Sequence, residues 1–152
     1  MGRRNKWGPA LILALGGCLL VLLGLRSYRR DVRALEAFLA SCDSFDRAIS
    51  DLAARPADAP DRTAREALAD LQAKASMRLS SLIRNDGEFM RLAREIAELS
   101  RKELESAEAY RKANLDRAAD REARAGECRD LAAKRRAAWD RYRELAREGS
   151  GP

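Results

Sequence analysis

The chemistry-bearing residues of this chain are few. It has three cysteines, Cys18, Cys42 and Cys128, and no histidine. The commonest metal ligand and the commonest general base are therefore missing. No Cys-x-x-C pair and no glycine-rich phosphate loop occurs, and the serines have no base to activate them. Glu95 and Glu98 are the nearest thing to a carboxylate pair. A helical-bundle metal site would ask for Glu-x-x-His, so both are read as solvated charges. No catalytic, cofactor-binding or metal site is expected, and an enzyme is the function class that the residues support least.

Thiol chemistry remains open. Cys42 falls on an apolar helical seam and Cys128 opens another; each suits either a buried small apolar thiol or a candidate disulfide, Cys42 with Cys128, in an oxidising compartment. Cys18 closes Leu15-Gly16-Gly17-Cys18, which resembles a bacterial lipobox and implies lipidation at Cys18. The residues after it are again apolar through Leu25, where a lipoprotein tether is polar. A membrane-buried thiol is the competing reading.

The element around Cys18 carries the strongest signal in the chain. Residues 8–25 contain no charge, and as a helix they span about 27 Å, close to the hydrocarbon thickness of a bilayer. A transmembrane helix over 8–26 is expected, with Pro9 in its first turn. Its expected membrane flank comprises Arg3, Arg4, Lys6 and Trp7 on one side and Arg26, Tyr28, Arg29 and Arg30 on the other. A short basic tail, 1–7, precedes it. Ala10, Ala14, Gly17, Val21 and Gly24 share one face and permit close approach of a second helix.

The net charge of +6 belongs to this region. From residue 34 onward the chain carries 23 basic and 23 acidic side chains. Nucleic-acid binding is excluded as an expectation, because a duplex-binding domain needs a basic face on its folded part. Membrane lipid is the expected partner of the excess.

The whole chain is 36 % charged and 5 % aromatic, rich in Ala, Leu, Arg and Glu, which is the composition of long helices. An all-α fold is expected: the transmembrane helix, then a helical bundle or coiled-coil region of two or three long helices. Leu35, Phe38, Cys42, Phe45, Ile49 and Leu52 form a heptad seam over 27–54. Pro56 and Pro60 end it. Thr63-Ala64-Arg65-Glu66 fits a capping box for a second helix over 60–84, with Leu68, Leu71, Ala75, Leu79 and Leu82 on its apolar face. Asn85-Asp86-Gly87 reads as a turn, with Asn85 and Glu88 as a further capping pair, although the apolar frame also continues through it. Phe89, Leu92, Ile96 and Leu99 mark a third helix, 88–110. An antiparallel bundle over 27–110 follows.

Residues 111–148 are expected as a charged helix with a terminal apolar stripe, and 149–152 as a disordered tail. A single helix over 88–147, about 90 Å long, is the other arrangement. The pairs Glu98–Lys102, Glu108–Lys112 and Asp120–Arg124 keep the apolar-poor stretch 100–127 helical without requiring its burial. The stripe Cys128, Leu131, Trp139, Tyr142 and Leu145 is a candidate partner surface; closing the protein's own bundle is its alternative. Lys134, Arg135 and Arg136 read as a solvated face.

The expected function is a single-pass, membrane-anchored helical scaffold or adaptor acting by self-association and protein–protein contact, with no small-molecule substrate. Residues 27–152 are expected on the extracytoplasmic side. In topology and length the layout is similar to inner-membrane lysis proteins of phages, the spanin type, and to small bitopic division proteins. That similarity implies an exported coiled-coil protein.

Overall fold

A computed structural model describes residues 8–54, 61–80, 83, 85–112 and 118–149, without side-chain detail for 8–15, 112, 118–121 and 149. Among these residues there are four helices and no strand: α1 Gly8–Ala54, α2 Arg62–Ala75, α3 Asp86–Lys112 and α4 Ala118–Gly149. The all-α expectation is met by a helical bundle. The expected basic tail 1–7, the loop prolines, Leu82 and residues 150–152 lie outside the described residues.

The apolar run and the first bundle helix are one element. α1 is unbroken for 47 residues, about 70 Å. No helix-breaking residue separates Leu25 from Leu35, so nothing in the sequence ends one helix and starts another. Its inner face buries Leu35, Phe38, Cys42, Phe45, Ala48 and Leu52, which is the heptad seam with Ile49 half-buried beside it.

α2 is shorter than its apolar pattern. It buries Ala64, Ala67, Leu71 and Ala75 and ends there, with Ser76 as its C-cap. The expected capping box does not form. Asp61 occupies the N-cap without a side-chain cap bond, Thr63 lies within the first turn, and Glu66 is drawn to Arg62 at 2.8 Å. The cause is competition: two arginines stand four residues from Asp61 and Glu66 and hold both carboxylates as ion pairs.

Between α2 and α3 the chain crosses beneath α1. Ser80 gives its backbone N–H (3.1 Å) and its hydroxyl to Asp31, and Ile83 is buried. Leu79, expected on α2, instead lies in this crossing, half-buried against the core. The turn before α3 is made by Asn85, whose φ of 63° is left-handed, a region that Asn enters more readily than most residues. Gly87 is already helical. Helices 2 and 3 are therefore separate, and Glu88 does not cap: its carboxylate lies 3.5 Å from Arg141 of α4.

α3 buries Phe89, Leu92, Ala93, Ile96, Ala97 and Leu104, with Ser100 where the sequence pattern favoured Leu99. Ser100 is tolerated inside because its hydroxyl donates to the Ile96 carbonyl at 2.8 Å. α4 packs more extensively on α3 than on any other helix, and the two are antiparallel, since Arg141 meets Glu88 while Cys128 meets Ser106. This rules out a single helix over 88–147 and makes α4 a full member of the bundle rather than a charged appendage.

Candidate membrane interface

The first described side chains of α1 belong to no core. Leu19, Leu20, Val21, Leu22, Leu23 and Leu25 are 51–72 % exposed. Consecutive residues on a helix point about 100° apart, so this apolar surface surrounds the helix rather than forming one stripe. Gly16, Gly17 and Gly24 have nothing within 4 Å of a would-be Cβ, and Cys18 is exposed. Among the described residues no helix is long and apolar enough to cross a membrane. Their share of the uncharged run is residues 16–25, about 15 Å of helix; the side chains of 8–15 lie outside the description.

Beyond Leu25 the helix changes character on two sides. Arg26, Arg29, Arg30 and Arg33 are exposed. At 100° per residue they occupy an arc of about 100°. Tyr28, Asp31 and Leu35 occupy the opposite side. Tyr28, expected as an interfacial aromatic, packs half-buried against the bundle core because it lies one heptad before Leu35. Asp31 is 1 % exposed; its partners are Ser80 and, at 3.5 Å, Arg30. Arg3, Arg4, Lys6 and Trp7 lie outside the described residues.

The proposed partner stripe faces the other way. Trp139, Tyr142 and Leu145 are buried in the bundle, at 6, 3 and 2 % exposure. Tyr142 meets Phe38 with ring centroids 4.9 Å apart and Phe89 at 5.1 Å in an edge-on arrangement. Burial raises its phenol well above the ordinary range. These residues close the protein's own bundle. They cannot offer that apolar surface to a partner in this fold. Cys128 and Leu131 are half-buried.

The basic run on α4 is also split. Lys134 and Arg136 are exposed, while Arg135 is 1 % exposed. It is thus no solvated residue. Its Nε donates to Glu103 of α3 at 2.6 Å, its Nη2 bonds Asp46 of α1, and its guanidinium carbon stands 5.3 Å from the Phe45 ring centre. Burial opposes the charge, but the two carboxylates outweigh burial and hold the pKa above its usual value. This three-helix ion group was not anticipated. Its signal was spacing: 128, 131, 135, 138, 142 and 145 run in steps of 3 and 4, and Arg135 is in frame. Below it, α1, α3 and α4 enclose an open cleft of about 390 Å³ lined by Ile49, Ala53, Tyr110, Cys128 and Arg135 among others.

The Cys42–Cys128 disulfide is not formed; both thiols are free. Cys128 bonds Ser106 at 3.2 Å and lines the cleft with Ala53, which lies about 16 Å along α1 beyond Cys42. A disulfide needs Cα atoms within about 7 Å. Burial pushes the Cys42 thiol up to about 12, against a lowering by Arg135. Glu95 and Glu98 are exposed, with Glu95 3.0 Å from Arg91 and Glu98 2.6 Å from Arg101 and 3.6 Å from Lys102. Glu108 reaches Arg65 of α2 at 2.8 Å; its expected partner Lys112 has its side chain outside the described residues. Among the described residues no cluster of Cys, Asp or Glu could hold a metal ion.

No family model, no curated protein and no solved structure matches this chain.

Proposed function

We propose that the chain is a single-pass membrane protein whose helical bundle is a non-catalytic scaffold, held at the bilayer surface by α1 and working through contacts with lipid, with its own copies or with another protein. The observation that carries this reading is the start of α1. Six consecutive-turn apolar side chains are more than half exposed around the whole helix, and the helix continues unbroken into a bundle that does not cover them. In water such a surface is unfavourable by about 25 cal/mol for each Å² of apolar area. Lipid would remove that cost. The uncharged run begins at residue 8, giving about 27 Å in all. The small residues at 10, 14, 17 and 24 favour self-association through this segment.

On this reading residues 27–152 stand on the extracytoplasmic side. The buried aromatic stripe of α4 leaves the outer, charged faces of the bundle for protein contacts. An acyl chain on the exposed Cys18 is a rival anchor; it requires cleavage before Cys18, and intact mass distinguishes the two. The test of anchoring is extraction. The expressed chain should stay with membranes in alkaline carbonate and leave them with detergent. Leu19→Arg with Leu22→Arg should release it. Release of the unaltered chain by carbonate would remove the reading. Crosslinking in membranes should then give a dimer or a discrete adduct rather than monomer.

A further inference from the structure

The arginines that follow the apolar run are sorted by the fold in a way their sequence does not reveal. Asp31 is the first acidic residue of the chain and the natural neutraliser of its neighbours. The fold removes it from that role. It faces the bundle, 1 % exposed, and accepts both the N–H and the hydroxyl of Ser80. Only Arg30 reaches back to it, at 3.5 Å. Arg26, Arg29 and Arg33 are exposed and have no carboxylate partner among the described residues. Their Cα positions lie within about 60° of arc and about 10 Å of rise. The opposite side of the same turns is closed by Tyr28, Asp31 and Leu35 against the core.

We propose that Arg26, Arg29 and Arg33 form a one-sided binding stripe for the phosphates of anionic phospholipid headgroups, a proposal that rests on the anchored reading of α1. Guanidinium groups meet phosphate oxygens through paired N–H donors, so three of them on one face can hold adjacent headgroups. The stripe is continuous with the exposed leucines, which places it at headgroup depth when they are in hydrocarbon. Being one-sided, it draws that side of α1 toward the bilayer surface. Held this way, the helix tilts and the bundle lies on its upper side.

The test is lipid selectivity of the full chain reconstituted in phosphatidylcholine vesicles, read by electron spin resonance of spin-labelled phosphatidylglycerol against spin-labelled phosphatidylcholine. The unaltered chain should prefer the anionic lipid. Arg26→Gln/Arg29→Gln/Arg33→Gln should lower that preference at least about threefold, given the attraction of each arginine to an anionic surface. The corresponding lysine variant should keep most of it, and Arg94→Gln/Arg124→Gln/Arg147→Gln, equal in charge, should leave it unchanged. An unaltered preference in the first variant overturns the proposal. So does a stronger loss in sodium phosphate than in sodium chloride of equal ionic strength, which would assign the stripe to free phosphate. Carbonate washing of the same neutral vesicles separates the two readings: loss of the unaltered chain removes the anchor itself, whereas retention without selectivity removes the stripe alone.

Discussion

Arg135 and Glu103 meet across α3 and α4 at 2.6 Å, with 1 % and 8 % of their side chains exposed, and Asp46 of α1 completes the group from the more open side. This ion group ties three helices at the level where the aromatic core ends. It fixes the register of α4, because a slip of one turn would bring an apolar residue of the same face, Leu131 or Ala138, to the carboxylates and leave Arg135 without them. Buried ion groups contribute little net stability but are costly to break.

The first prediction follows from that asymmetry. Arg135→Ala should destabilise the bundle by about 3–5 kcal/mol, since two carboxylates lose their partner. Arg135→Met with Glu103→Met should cost clearly less than the single alanine change. Denaturant unfolding of the full chain in mild detergent, followed by Trp139 fluorescence and circular dichroism, measures both.

Tyr142 supplies the second. Its ring lies between Phe38 and Phe89, so Tyr142→Ala should cost about 3–5 kcal/mol through a cavity spanning α1, α3 and α4. Tyr142→Phe keeps both ring contacts and should stay within about 1 kcal/mol of the unaltered protein. Equal losses for the two variants would show that the hydroxyl, not the ring packing, carries the residue.

These residues also show what the sequence made legible. Heptad spacing located the inner faces of α1, the start of α3 and the end of α4. It ran further than apolar residues suggested. Tyr28 and Asp31 precede Leu35 in the same frame, and Arg135 lies between Leu131 and Ala138. A reading keyed to hydrophobicity discards charged residues at seam positions, although spacing, not polarity, decides which side chains face inward. Asp31 is held inside by Ser80, and the Nε and Nη2 of Arg135 by Glu103 and Asp46, partners distant in sequence. Those pairings depend on tertiary approach and have no local signature. The same limit explains α2. Its pattern continued past Ala75, but the chain leaves the helix there and delivers Ser80 to Asp31.

The Asp31–Ser80 contact gives the third prediction. Asp31→Asn keeps size but removes the charge assistance of two hydrogen bonds, worth about 1.5–3 kcal/mol to a charged acceptor. The crossing at residues 76–80 should open more often. Hydrogen exchange at the Ser80 amide should quicken about tenfold or more, while amides in the middle of α3 keep their protection. Uniform acceleration across the bundle would mean that the contact holds the whole fold rather than the crossing.

Cys42 gives the fourth, through pH. Its thiol is raised to about 12 in the folded chain from an ordinary value of 9.0, chiefly by burial. The unfolded chain therefore loses this proton first as pH rises. The folded state then binds more protons, so stability is intact below pH 9 and falls between pH 9 and about 12. Tyr142, raised in the same direction, adds to the loss in the upper part of that range. Cys42→Ala should flatten the decline by up to about 1.4 kcal/mol per pH unit whatever its constant cavity cost. Parallel pH profiles for the two proteins would place the alkaline sensitivity elsewhere.

The three thiols differ enough in surroundings to report the topology in one experiment, which is the fifth prediction. Cys42 is buried under α4, Cys128 is half-buried at the open cleft, and Cys18 is exposed on the apolar part of α1. If α1 is in the bilayer and the bundle is exported, a membrane-impermeant maleimide added to intact spheroplasts should modify Cys128 first. Cys18 should react only once detergent replaces lipid, and Cys42 only when the bundle unfolds. Protection of Cys128 in intact spheroplasts, with rapid labelling after lysis, would reverse the orientation and leave the anchor in place. Rapid labelling of Cys18 without detergent would instead remove the bilayer from around α1. The order of reaction thus separates sidedness from insertion, because each thiol is screened by a different barrier: protein packing, the membrane as a whole, or the hydrocarbon interior.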